Sequence, residues 1–121
     1  MNLFNWLLFL DVADHLISFG TEASYRSATS RVYYGVFGEI RHRLENQGIR
    51  FRHTNIHSQV IGWLRDQPQS GLKQIGLNLG RLRRERNFAD YDAMHKFTQQ
   101  RAKKSLLQAQ MIQSTIPFFL S

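Results

Sequence analysis

The sequence predicts an all-α bundle of four or five helices. Apolar residues recur every three or four positions through most of the chain, and no alternating run is long enough to argue for strands. Punctuation is also sparse, with two prolines and eight glycines in 121 residues. Leu3, Trp6, Leu7, Leu10, Ala13 and Ile17 make the first helical stripe, which Gly20 ends. Thr21 and Glu22 then supply an N-cap and a first-turn acid for a second, longest helix. Tyr25, Ala28, Val32, Val36, Ile40 and Leu44 line its face, which Tyr33 and Phe37 broaden. It is expected to run to about Gln47, with Gly48 as a left-handed C-terminal cap.

A basic loop from Ile49 to Thr54 leads to a short helix through Ile56, Val60, Ile61 and Leu64, broken at Gln67-Pro68. From Gly71, the stripe Leu72, Ile75, Leu79 and Leu82 marks another helix, crowded with arginines at its C-terminal end. Asn87 to Asp92 reads as a bend, with Asp92 the N-cap of a last helix through Leu106, Ala109, Ile112 and Ile116. Pro117 is expected to stop that helix, leaving Phe118, Phe119 and Leu120 to dock on the bundle or on a neighbour. Residues 1–121 read as a single domain, with no internal repeat or low-complexity tract.

Composition narrows the function classes. The absence of cysteine excludes a disulfide scaffold, a cysteine nucleophile and thiolate zinc sites. The apolar runs Trp6–Leu10 and Ile116–Leu120 fall well short of the ~18 residues a membrane span requires. No signal-peptide pattern opens the chain, so a soluble, cytoplasmic protein is expected. The net charge of +7 is concentrated: eight of the sixteen Lys and Arg residues fall between Arg81 and Lys104. Such a zone favours polyanionic partners such as RNA or DNA. Arg81, Arg83, Arg84, Lys96 and Arg101 are the candidate nucleic-acid contacts.

Arg86 is the most informative position. It lies seven residues after Leu79 and four after Leu82, on the stripe that faces the core. A guanidinium there costs several kcal/mol unless it is paired or faces a ligand cleft. Two readings stay open: a structural pair with Asp90, Asp92 or Glu39, or an arginine whose planar fork receives phosphate oxygens. Asp11 and His15 have helical i, i+4 spacing but no further ligands, and read as a surface pair rather than a metal site. Tyr33 and Tyr34 read as core or dimer packing, with base stacking as the alternative. No phosphate-binding loop or Ser/His/Asp order is present.

Three stretches resemble HEPN-domain proteins: Phe9–Leu16, Glu22–Phe37 with its Ser30-Arg31-Val32-Tyr33-Tyr34 run, and Leu79–Tyr91 with Arg86-Asn87-Phe88-Ala89-Asp90-Tyr91. The resemblance covers about residues 5–110 and implies a four- to five-helix up-and-down bundle that dimerises. It further implies a metal-independent endoribonuclease of a toxin–antitoxin, CRISPR-associated or phage-defence system, needing no cofactor. The family's Arg-x(4–6)-His motif holds the scissile phosphate and moves protons across the dimer cleft. Here positions 91 to 93 are Tyr91, Asp92 and Ala93, so the motif is degenerate.

On this reading Arg86 holds phosphate, Asn87 and Tyr91 support it, and His95 or His57 supplies proton transfer. Arg50 and Arg52 also precede His57 at motif-like spacing, but in the loop before the third helix, where chance accounts for the match. His57 itself reads as a solvated or capping histidine, with approach to the cleft as the alternative. The second functional reading is a non-catalytic HEPN module. It would bind RNA or a protein partner, either a nucleotidyltransferase-like antitoxin or subunits of a larger defence complex.

Overall fold

The computed structural model describes residues 3–121. Five helices follow in order: α1 Leu8–Phe19, α2 Glu22–Asn46, α3 Ile56–Arg65, α4 Ser70–Tyr91 and α5 Gln99–Phe119. No strand occurs among the described residues, and the chain is an all-α bundle. α2 is the hub, about 37 Å long at 1.5 Å per residue, and packs against α1, α4 and α5, while α3 lies on α4. One apolar cluster joins all five helices, with Leu10, Ala13 and Ile17 from α1, Val32, Val36, Ile40 and Leu44 from α2, and Val60 and Leu64 from α3. α4 adds Leu72, Ile75, Leu79 and Leu82, and α5 adds Ala102, Ala109, Ile112 and Ile116.

Local chemistry explains most boundaries. Thr21 and Ser24 form a reciprocal capping box at the start of α2, with Ser24 N–H donating to Thr21 Oγ1 at 3.1 Å and Thr21 N–H to Ser24 Oγ at 3.0 Å. Gly48 follows the end of α2 at φ 93°, a left-handed conformation that costs glycine no Cβ clash. Gln59 pins the basic loop, accepting from Arg52 N–H at 2.9 Å and donating to Arg52 O at 3.1 Å. α2 and the N-terminal segment meet closely at Gly38, where a Cβ would stand 2.4 Å from the Trp6 ring.

The structure corrects the sequence reading at three places. α1 begins at Leu8, so Leu3 and Trp6 precede it as exposed residues rather than opening its stripe. Asn87–Asp92 is no bend: α4 runs through Tyr91, and Asp92 is its C-cap while Thr98 caps α5 by accepting from Arg101 N–H. The cause lies on α2. Arg26 Nη1 donates to the carbonyls of Phe88, Ala89 and Asp92 at 3.2, 3.0 and 3.0 Å, and its Nη2 to that of His95. A cation from another helix thus satisfies the open carbonyls of α4 and holds the connection to α5.

The third correction concerns Pro117. α5 continues two residues past it, because a proline in the last turn forfeits a single backbone hydrogen bond. The chain end then docks on its own bundle: Leu120 is buried, Arg43 Nη1 donates to its carbonyl at 2.7 Å, and Phe119 rests against Gly71. Phe118 faces solvent.

Candidate functional site

The face that α2 presents to α3 and α4 gathers aromatic and cationic side chains. Tyr33 is wholly buried, and its hydroxyl lies 2.7 Å from His57 Nδ1 on α3. The His57 ring stacks on Phe37 at 4.4 Å between centroids. From α4, Arg86 sets its guanidinium carbon 5.0 Å from the Tyr34 ring centroid, 5.5 Å from that of Tyr33 and 6.0 Å from that of Tyr91. Arg83, one turn earlier on α4, donates to Ser58 Oγ at 3.1 Å. Arg41 of α2 completes the cationic group and lines, with Trp6, Tyr34, Phe37 and His57, a groove of about 450 Å³.

Arg86 is 7% exposed, as its place on the apolar stripe required. The structural pair offered by the sequence is not made. Glu39 bonds Arg43 at 2.7 Å, Asp92 bonds His95 at 2.7 Å, and Asp90 accepts from Ser30 Oγ at 3.1 Å. No carboxylate among the described residues pairs with Arg86. Three buried side-chain nitrogens among those residues lack a hydrogen-bond partner, and all three are arginine Nε atoms, of Arg41, Arg83 and Arg86. Arg41 Nε does approach Glu45 at 3.4 Å, without hydrogen-bond geometry.

The same three arginines act on His57. Burial pushes the His57 pKa below its ordinary value, and the charges of Arg83, Arg86 and Arg41 push it further down. The ring is therefore neutral near pH 7. Burial raises the Tyr33 phenol above its ordinary value, so it keeps its proton. His57 Nδ1 is the only partner of that hydroxyl among the described residues: with the ring proton on Nε2 the hydroxyl donates and Nδ1 accepts, and with the proton on Nδ1 the roles reverse. Of the three arginines, Arg41 lines the groove beside His57, together with the Glu45 carboxylate, while Arg83 and Arg86 stand behind it.

The other residues singled out in the sequence divide. Tyr91 stands by Arg86 and is 79% exposed, and Asn87 is exposed on α4. His95 is not brought to Arg86. Its ring stacks on Phe88 at 4.0 Å and its Nδ1 bonds Asp92. Phe88 lies two residues, about 200°, around α4 from Arg86. The Met94 N–H and His95 together hold the Asp92 carboxyl below its usual range.

Arg81, Arg84 and Arg101 line a separate cleft between α4 and α5, while Lys96 is exposed in the connection between those helices. Asp11 and His15 are exposed on α1, and no three of His, Cys, Asp and Glu cluster as metal ligands among the described residues. Among the described residues no helix is long and apolar enough to cross a membrane. The sequence left His57 as a marginal candidate and passed over Arg41. The Tyr33 to His57 pairing spans 24 residues and has no periodic signature. No protein-family model, curated protein or solved structure matches the chain.

Proposed function

We propose that this protein acts on RNA as a metal-independent endoribonuclease in which Arg86 holds a backbone phosphate and His57, rather than His95, handles the proton. One observation carries the reading: three buried arginine Nε atoms without a hydrogen bond, those of Arg83 and Arg86 also without a carboxylate partner, belong to the residues that surround a neutral histidine. A buried donor left without an acceptor costs about 1–3 kcal/mol, so the arrangement suits a site whose acceptor arrives with the ligand. Phosphate oxygens match a guanidinium fork in geometry and sign.

In the reaction the ribose 2′-hydroxyl gives its proton to His57 Nε2 and attacks phosphorus. The 5′-oxygen leaves and takes the proton from the His57 imidazolium, giving a 2′,3′-cyclic phosphate, a 5′-hydroxyl and the neutral ring again. Arg86 and Arg83 offset the charge that develops on the phosphoryl oxygens. For Nε2 to accept a proton the ring must adopt the tautomer with Nδ1–H donating to the Tyr33 oxygen.

The Tyr33 hydroxyl favours a second reading. When it donates to Nδ1, Nε2–H holds an anion but takes no proton, as in a non-catalytic module that binds RNA or docks with a protein partner of a defence system. Cleavage of labelled RNA in excess EDTA separates the two. The enzymatic reading expects turnover that disappears in Arg86→Ala and His57→Ala and persists in His95→Ala. RNA bound but uncut by folded wild type selects the module. Cleavage untouched by Arg86→Ala removes the site from consideration.

A further inference from the structure

On the side of α4 away from Arg86, a cleft of about 440 Å³ runs between α4 and α5. Arg81 and Arg84 stand one turn apart on its α4 wall, and Arg101 and Lys104 stand one turn apart on the α5 wall. Its one carboxylate, Glu85, is already engaged: both its oxygens accept from Arg101, at 2.8 and 3.0 Å. That bidentate bond and a stack of the Arg101 guanidinium on Phe97, 4.1 Å from the ring centroid, fix Arg101 in place. Arg81, Arg84 and Lys104 have no carboxylate partner among the described residues. Ser105 is 4% exposed and lines the cleft, and its hydroxyl makes no hydrogen bond with those residues.

We infer that this cleft is a second nucleic-acid contact, a track that grips the phosphate backbone of a single RNA strand apart from the His57 site. The inference rests on RNA being the ligand and extends that reading to a docking surface. Arg101 and Lys104 also line a neighbouring shallow hollow with Lys103, so the cationic path continues along α5 beyond the cleft. A small anion fills one end of such a path, whereas a strand follows its length. The Ser105 hydroxyl adds a neutral donor on the cleft floor.

The test measures binding of a fluorescein-labelled, 2′-O-methyl oligouridylate as a function of salt, since the methyl group blocks cleavage. Each phosphate contact on a single strand contributes about 0.7 to the slope of log K against log salt. Arg84→Gln/Lys104→Gln is expected to reduce that slope by about 1.4 and to weaken binding at low salt. The control, Arg52→Gln/Lys73→Gln, removes the same charge at exposed positions outside the cleft and is expected to keep the wild-type slope. Equal slopes in all three proteins, equal losses in both double variants, or no binding by wild type would each overturn the inference. The His57 reading is decided separately: a slope loss in the cleft variant beside cleavage indifferent to Arg86→Ala leaves the track standing and removes the active site.

Discussion

Replacing Arg86 by methionine tests whether a buried arginine is kept for the fold or for a ligand. If Arg86 served a buried ion pair, its loss would strand a carboxylate and cost about 3–5 kcal/mol. The structure gives a different balance. Arg86 lies over Tyr34 at 5.0 Å and Tyr33 at 5.5 Å, contacts of roughly 0.5–2 kcal/mol each that the substitution removes. Removing the unpartnered Nε recovers about 1–3 kcal/mol. Methionine fills most of the same volume, for which the repacking cost is below about 1.5 kcal/mol.

Taken at their midpoints these terms leave a net loss of about 1 kcal/mol, a Tm shift of roughly 3–6 °C for a chain of this size. Urea unfolding at constant m-value reads the stability, and RNA cleavage in EDTA reads the function. The expected variant is nearly as stable as wild type and inactive. A loss of 3 kcal/mol or more would refute the argument, since it would mean that Arg86 is needed by the fold itself.

Three further outcomes follow from particular contacts. Because the His57 pKa is lowered by folding, the unfolded chain binds more protons at mildly acidic pH. Stability is therefore greatest above the unfolded pKa of about 6.5 and declines as pH falls toward the depressed folded value. The urea midpoint of His57→Gln should fall less between about pH 7.5 and 5.5 than that of wild type, and parallel profiles would exclude His57 as the source. Gly38→Ala places a Cβ 2.4 Å from the Trp6 ring and should cost about 1–3 kcal/mol while moving Trp6 outward. In a Trp63→Phe background its emission should shift to the red, and an unchanged spectrum would show that Trp6 is not seated there. Arg26→Ala leaves the carbonyls of Ala89, Asp92 and His95 without this donor, while Phe88 O keeps the Asp92 N–H, an expected loss of about 2 kcal/mol. Amide exchange should rise over residues 92–97, and unaltered protection there would place the anchoring of that segment elsewhere.

The fold was legible wherever burial alone decides structure. Each apolar stripe from α2 to α5 appears in the core, and the Gly48 stop follows from backbone sterics that a sequence displays directly. Misreadings cluster where a distant side chain intervenes. Asp92 carries the local chemistry of an N-cap, but Arg26, 66 residues earlier, captures its carbonyl and turns the position into a helix end. The site shows the same division. Arg86 was found because a charge on an apolar stripe is a conflict visible in one dimension. His57 lies in no such conflict, since its significance depends on a hydroxyl and three arginines brought from α2 and α4.

The two sides of α4 handle charge in opposite ways, and the contrast bears on their roles. Toward α2 and α3, Arg83 and Arg86 are partly or fully withdrawn from water without a carboxylate, so water screens their repulsion weakly. Toward α5, Arg81 and Arg84 stand in solvent and Arg101 is neutralised by Glu85, so the cleft costs the fold little and attracts at longer range. A buried cationic site gains selectivity from its geometry, because only a ligand that reaches the unpartnered nitrogens repays their desolvation. An exposed track gains encounter rate and is sensitive to salt. Helical spacing makes both available on one element, since Arg81 and Arg84 fall on one side of α4 and Arg83 and Arg86 on the other. On the proposed reading, this arginine-rich helix end captures a strand on one side and positions one of its phosphates on the other.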